Sequence, residues 1–425
     1  AKWLKELFEQ EDYRKPNGEK YNIYKDGLKV YTTIDLDMQI MAEEEMWKHM
    51  AKVQQRFNAV WGTRDQWTYN ADDAQKKIRK ESLQSMVRQT GRYQAMREER
   101  LSALLEKVNE QHELMLSDWD IENLLQESQK AGRISRLVSG KSITTDKGKK
   151  YKAIMAGDHW DELASSYKMF QKDIMKEMNT AVEMLVFDYG AAGEKKVTMT
   201  PLDSIKYHRR FMQTGILAID PKTGEIKTWV GGINNKYFQF DHIGSSRQVG
   251  STFKPFVYAT AITLQGISPC FPVLDQPYTI APGDGSFGVL EPWTPQNADG
   301  KFTNRNYTLF EGLKDSRNTI SVFLMQQLGN ANVVRGLVHN MGIDSSLRRA
   351  DGEYRVPNQP SICLGSADLS VMEMTGAYCT FANNGVFVKP YFVSSVEDEN
   401  GRVIYRAMKE EQVALPPKAN AVMVD

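Results

Sequence analysis

Cysteine is nearly missing from this chain of 425 residues, which has three, at positions 270, 363 and 379. Odd in number, widely spaced and without a Cys-x-x-Cys pair, they offer neither a disulfide framework nor a structural zinc site. Cys363 and Cys379 lie in apolar surroundings and read as small core residues. A surplus of one charge is also missing, with 54 basic and 54 acidic side chains, so nucleic acid is not expected as the main partner. No run of about 18 apolar residues could span a bilayer, and the start has no secretory-signal pattern. With a mean hydropathy of −0.51 the expectation is a soluble segment, free or part of an anchored protein. Aromatic residues make up 10%, which argues against disorder.

Proline is the most unevenly spread residue. Only Pro16 precedes Pro201, and the other fourteen of the fifteen follow from there. The stretch 17–200 is rich in Glu, Lys, Gln, Arg and Met, which is helix-forming material. From Gln84 to Leu116, Met86, Tyr93, Met96, Leu101, Leu104, Leu105 and Val108 follow a helical period, read as ordinary packing. The basic cluster Lys141 to Lys152 reads as a solvated loop. Ahead of the helices, Gly27 to Asp35 alternates as a strand should. After Pro201 the texture changes. Gly215–Asp220 and Ile226–Val230 read as strands joined by a Pro-Lys-Thr-Gly-Glu turn. A helix is expected from near Ser251, with Pro255 in its first turn, and another from Ser370 to Asn383 ended by Asn384-Gly385; Phe387 to Val396 returns to strand. The expectation is an α+β domain over 201–425, preceded by a region 1–200 holding strand 27–35 and a helix-rich insert.

Ser251-Thr252-Phe253-Lys254 stands at the expected helix start, where serine and lysine three apart share one face. A lysine amine there could take the serine proton, provided that burial or neighbouring positive charge lowers its pKa. The helix N-terminus would favour a developing oxyanion. Such chemistry fits acyl transfer through a covalent ester. The spacing alone is not specific, because Ser165-Ser166-Tyr167-Lys168 has it too and reads as a solvated helix face. What lifts Ser251 is Ser316-Arg317-Asn318 downstream. Its hydroxyl could relay a proton and its amide could hold both the lysine and a substrate carbonyl, although on its own the triplet reads as a helix cap.

Ser-x-x-Lys, Ser-x-Asn and Lys-Thr-Gly together mark penicillin-binding proteins and class A β-lactamases. Lys222-Thr223-Gly224 supplies the third only in appearance, since it precedes the serine and sits in the hairpin turn. Even so, Arg247 to Tyr258 resembles the active-serine segment of class A bifunctional penicillin-binding proteins nearly residue for residue. Strand 27–35, the hairpin 215–232, Trp293-Thr294-Pro295-Gln296-Asn297, Leu364-Gly365 and Ala377 to Asn383 are similar to segments of that family in the same order. The resemblance covers 15–40 and 200–405.

The resemblance implies the penicillin-binding serine transpeptidase fold, an antiparallel sheet flanked by helices. It implies Ser251 as nucleophile, Lys254 as its base, Ser316 as proton relay and Asn318 as polar anchor. The implied substrates are peptidoglycan stem peptides ending in D-Ala-D-Ala, crosslinked on the outer face of a bacterial cytoplasmic membrane, and β-lactams would acylate Ser251. No cofactor or metal is called for. The resemblance also implies a glycosyltransferase half and anchor before Ala1 and a Lys-Thr/Ser-Gly strand beyond Asp425, so a fragment is expected. The insert 41–200 is expected as a helical pedestal, with strand 27–35 pairing near Lys196-Val197-Thr198-Met199. A β-lactamase would need a water-activating Glu-x-x-Leu-Asn loop, which does not follow Asn318. A D,D-carboxypeptidase and a non-catalytic β-lactam-binding scaffold remain as alternatives.

Overall fold

The computed structural model describes residues 2–425. The chain forms two units, Ala1–Met50 with Gln213–Asp425, and Ala51–Met212.

In the first unit the early strand returns to the far end of the chain. Lys29–Thr32 pairs antiparallel with Val393–Glu397, which pairs with Val403–Arg406. Thr33 donates its hydroxyl to the Ile226 carbonyl at 2.6 Å, and the Asp35 N–H donates to Lys227 O at 2.9 Å, tying the segment to the hairpin as well. The pairing expected with 196–199 does not form. Glu194–Met199 pairs with Val182–Phe187 in a hairpin of the second unit. A partner a short turn away costs little loop entropy, and it takes up those backbone groups first. The hairpin Ile216–Ile219 and Ile226–Val230 forms as expected. In its turn the Asp220 carboxylate accepts the N–H groups of Lys222 at 2.8 Å and Thr223 at 3.1 Å, so Lys222 belongs to a turn.

Helix Lys254–Gln265 runs through the middle of the core, where Phe253, Phe256, Val257, Ala259 and Ala261 are fully buried. A helix apolar all round must be enclosed. This one is enclosed by helices Asn318–Leu328, Ala331–Asn340 and Pro417–Val424 and by the 3-10 turn Pro360–Leu364. Helix Val371–Ala382 opens on a capping box between Ser370 and Glu373, and Asn384 and Gly385 follow it with positive φ. The strand expected over 387–396 is two strands, Val386–Val388 and Val393–Glu397, with Pro390 in the break.

The second unit is a helical bundle with one hairpin. The period over 84–116 resolves into two helices, Asp73–Arg88 and Gly91–His112, because Thr90 caps a new start by accepting the Tyr93 N–H. The basic cluster is not a loop. Thr145–Ala156 is a helix capped by Thr144, with Tyr151 and Ile154 fully buried on one face, and Lys147 reaches Asp120 at 2.8 Å. Its lysines read as loop because the charge masked a short apolar stripe. Leu101, Ile121, Leu124, Tyr151, Leu163, Tyr167 and Phe170 form the centre of this core. Among the described residues no helix is long and apolar enough to cross a membrane.

Candidate functional site

Ser251 lies in a 3-10 turn, Gly250–Phe253, and the α-helix begins at Lys254, three residues later than expected. The short strand Arg247–Gln248 pairs with Asp368–Leu369, Val249 N–H donates to Ala367 O at 3.0 Å and Gly250 N–H to Gly365 O at 3.0 Å. The serine loop is thereby laced to 365–369 by its backbone. Gly365 has φ +77°, and a Cβ there would stand 1.8 Å from the Gly250 carbonyl oxygen, so only glycine lets the two strands of backbone meet. On the other side the Tyr378 hydroxyl donates to Thr252 O at 2.6 Å.

Ser251 is exposed, whereas Lys254, one turn on, is 1% exposed. The Lys254 ammonium donates to Ser316 O at 2.6 Å, Asn318 Oδ1 at 2.8 Å and Ser316 Oγ at 3.2 Å. Burial pushes this amine down from the ordinary 10.5 to about 8; the nearby Cys363 sulfur works against the shift and the Arg317 guanidinium adds to it. The fold thus brings Lys254, Ser316 and Asn318 into direct contact, with Ser251 exposed in the turn three residues before Lys254. Lys168 and Ser165 remain on the exposed face of helix Trp160–Met178, in the other unit.

The Ser-x-Asn triplet is not a self-capping helix start. Ser316 is left-handed, with φ +55°, and the helix Asn318–Leu328 has no cap from its own N-cap side chain. Asn297 supplies the cap from elsewhere, its Oδ1 accepting the Asn318 N–H at 2.8 Å and the Thr319 N–H at 3.3 Å. Arg317 points inward to Asp275 at 2.6 Å and Asp299 at 2.9 Å. Asp275 is fully buried; burial alone would raise its pKa, but hydrogen bonds from Thr319, Thr303 and Asn297 hold it well below the usual carboxylate range. Nothing in the spacing of the motifs points to Asp275 or to an inward Arg317; the fold alone brings the two together.

Two family models match. The penicillin-binding protein transpeptidase domain covers residues 214–422, and the penicillin-binding protein middle domain covers residues 144–212. Among curated proteins, penicillin-binding protein 1A of Rickettsia conorii is 34% identical over 200 residues, 47% of this chain and 23% of that protein. The Aquifex aeolicus protein of the same name is 34% identical over 217 residues, 50% of this chain and 27% of that one. The matched segment therefore spans about a quarter of these relatives' length. Among solved structures, penicillin-binding protein 1A from Haemophilus influenzae aligns with 97% of this chain and 50% of its own at 17% identity and a TM-score of 0.49. PonA1 from Mycobacterium tuberculosis aligns with 49% of this chain and 55% of its own at 28% identity and a TM-score of 0.41. The two models lie side by side, and this chain belongs to the penicillin-binding proteins, carrying their middle domain over 144–212 and their transpeptidase domain over 214–422.

Proposed function

We propose that this chain is a peptidoglycan D,D-transpeptidase that works through an acyl-enzyme on Ser251. The observation that carries the reading is the buried Lys254 amine, one turn from an exposed serine and held by Ser316 and Asn318. An amine near 8 is neutral in a useful fraction of molecules around neutral pH, so it can accept the Ser251 proton as Oγ attacks the carbonyl between the two terminal D-alanines. The C–N bond breaks, and the leaving D-alanine amine takes a proton delivered from Lys254 through the Ser316 hydroxyl. An amine of a neighbouring stem then attacks the ester carbonyl; the C–O bond to Ser251 breaks and a proton returns to Oγ. The Asn318 amide orients Lys254 by its oxygen. Its nitrogen donates to Gln296 O at 2.8 Å, which fixes the side chain in that sense.

The donor and acceptor both lie outside the cytoplasmic membrane, so the site works there. β-Lactams carry an amide carbonyl that would be trapped as an ester on Ser251; PonA1 from Mycobacterium tuberculosis has been solved in complex with penicillin V. Peptide mapping by mass spectrometry after incubation with benzylpenicillin tests the assignment. The adduct is expected on the peptide containing Ser251 and is expected to vanish in Ser251→Ala. An adduct that persists in that variant would overturn it. Release of D-alanine with a crosslinked product, in the presence of an acceptor stem, separates transpeptidation from hydrolysis.

A further inference from the structure

Arg317, between the two residues of the second motif, has nine-tenths of its side chain inside the protein. Its Nη2 donates to Asp275 Oδ2 at 2.6 Å and Lys301 O at 2.9 Å, and its Nη1 to Asp299 Oδ2 at 2.9 Å. The fully buried Asp275 then collects the remaining bonds. Thr303 gives its N–H at 2.9 Å and hydroxyl at 2.7 Å to Oδ2, while Thr319 at 2.6 Å and Asn297 Nδ2 at 2.9 Å donate to Oδ1. Asn297 in turn caps Asn318. One carboxylate therefore grips the residues before and after Asn318 and, through Asn297, the N–H of Asn318 itself. The strained backbone of Ser316, which aims its carbonyl at Lys254, lies directly beside this anchor.

We propose that Asp275 and Arg317 are a positioning pair for acyl transfer: the buried carboxylate holds Arg317 in place, so that Ser316 and Asn318 on either side of it present their oxygens to the Lys254 amine. This rests on the reading of Lys254 as the base for Ser251. The pair has a second, electrostatic consequence. The groups that act on the Lys254 charge are Cys363 and Arg317, and Arg317 is itself paired with Asp275 and Asp299. Arg317 thus brings into the surroundings of the amine a positive charge whose partners are the Asp275 and Asp299 carboxylates. An apolar residue at 317 would hold the loop less firmly and would leave Asp275 buried without its partner, a costly state.

The test uses Arg317→Gln, Asp275→Asn and the double variant, which replaces the charged pair by a neutral one and so guards against simple misfolding. In chain labelled with 13C at lysine Cε, the resonance lost in Lys254→Met identifies Lys254, and its titration is followed by NMR. The midpoint near 8, set first by burial, is expected to rise measurably in Arg317→Gln and in the double variant. Acylation by benzylpenicillin, measured on the high-pH plateau, is expected to fall about 10–100-fold in Asp275→Asn and to stay low in the double variant. Arg317→Lys is expected to restore the midpoint more than the plateau rate, since it returns the charge without the two-pronged grip. An unmoved Lys254 midpoint in Arg317→Gln, or a double variant that is acylated at the original rate, would overturn the proposal. If the unaltered chain is not acylated at Ser251 at all, the function proposed above falls, while the Lys254 titration still decides the positioning pair.

Discussion

At the scale of single residues, burial of the Lys254 amine costs stability. Its folded pKa, about 8, lies below the 10.5 of the unfolded chain, so between those values the unfolded state binds more protons and stability rises with pH. The penalty is fully present below about 8 and fades as pH climbs through 10.5. At about 1.4 kcal/mol per pH unit it is on the order of 3 kcal/mol, close to what a buried amine with hydrogen-bond partners can carry. Chemical denaturation of the unaltered chain and of Lys254→Met at a series of pH values reads this directly. The unaltered chain is expected to gain on the variant as pH rises from 8 to above 10; parallel curves would mean that the amine titrates normally. Acylation is expected to rise over the same lower range, as the free amine appears. The meeting of Lys254 with Ser316 and Asn318 was legible beforehand, because the two motifs stand at chemically meaningful spacings. The inward turn of Arg317 was not. Spacing along a chain says which residues can share a face, but Asp275 reaches Arg317 only through the fold.

At the scale of elements, the serine loop is shaped by a segment more than a hundred residues away. Gly250, at φ +56°, and Gly365, at φ +77°, meet back to back, and the hydrogen bonds on either side hold the 3-10 turn that carries Ser251. Gly365→Ala would force both a left-handed alanine and a methyl 1.8 Å from the Gly250 oxygen. Backbone, not a flexible side-chain end, is in the way, so the loop itself must shift. A shift of about 1 Å at a reacting group costs on the order of 100-fold, and that loss of benzylpenicillin acylation is expected with helical circular dichroism preserved. Acylation at the original rate would show that the loop does not depend on this contact. Local chemistry announced several elements: the turn at Asp220 and the helix opening at Ser370 form where turn and cap residues stand. What failed was pairing between distant segments. Strand 29–32 has four exposed residues, so its own pattern could not select a partner, and Val393 and Val396, both buried, supplied the apolar face.

At the scale of the whole molecule, the boundary that proline distribution set near Pro201 and the boundary drawn by contacts at Met212 enclose helix Pro201–His208, which packs with the helical unit through Leu202 and Ile205. Composition reads the backbone's freedom, whereas a unit's edge is set by which core its last helix buries against. Ala51–Met212 owns a core of its own, with Leu101, Ile121, Leu124, Leu163 and Tyr167 showing at most trace exposure. It also owns its polar interior. Asp120 accepts from Ser117 and from the Tyr151 hydroxyl and pairs with Lys147; burial would raise its pKa, and these partners together hold it below the normal carboxylate value. A unit with a closed apolar core and satisfied buried charges meets the requirements for folding alone. Residues 51–212 expressed by themselves are therefore expected to melt cooperatively, with coincident transitions in far- and near-ultraviolet circular dichroism. Asp120 supplies a further signature. Its depressed pKa contributes stability above the unfolded value of 3.8, and that contribution is lost as pH falls through the folded value. Asp120→Asn is accordingly expected to lower the melting temperature of the fragment at pH 7 and to narrow the gap as the solution is acidified below 3.8. A broad, non-cooperative melt of the unaltered fragment would show that its core needs the rest of the chain, and a gap independent of pH would show that the Asp120 charge is not what binds Lys147 and Tyr151 together.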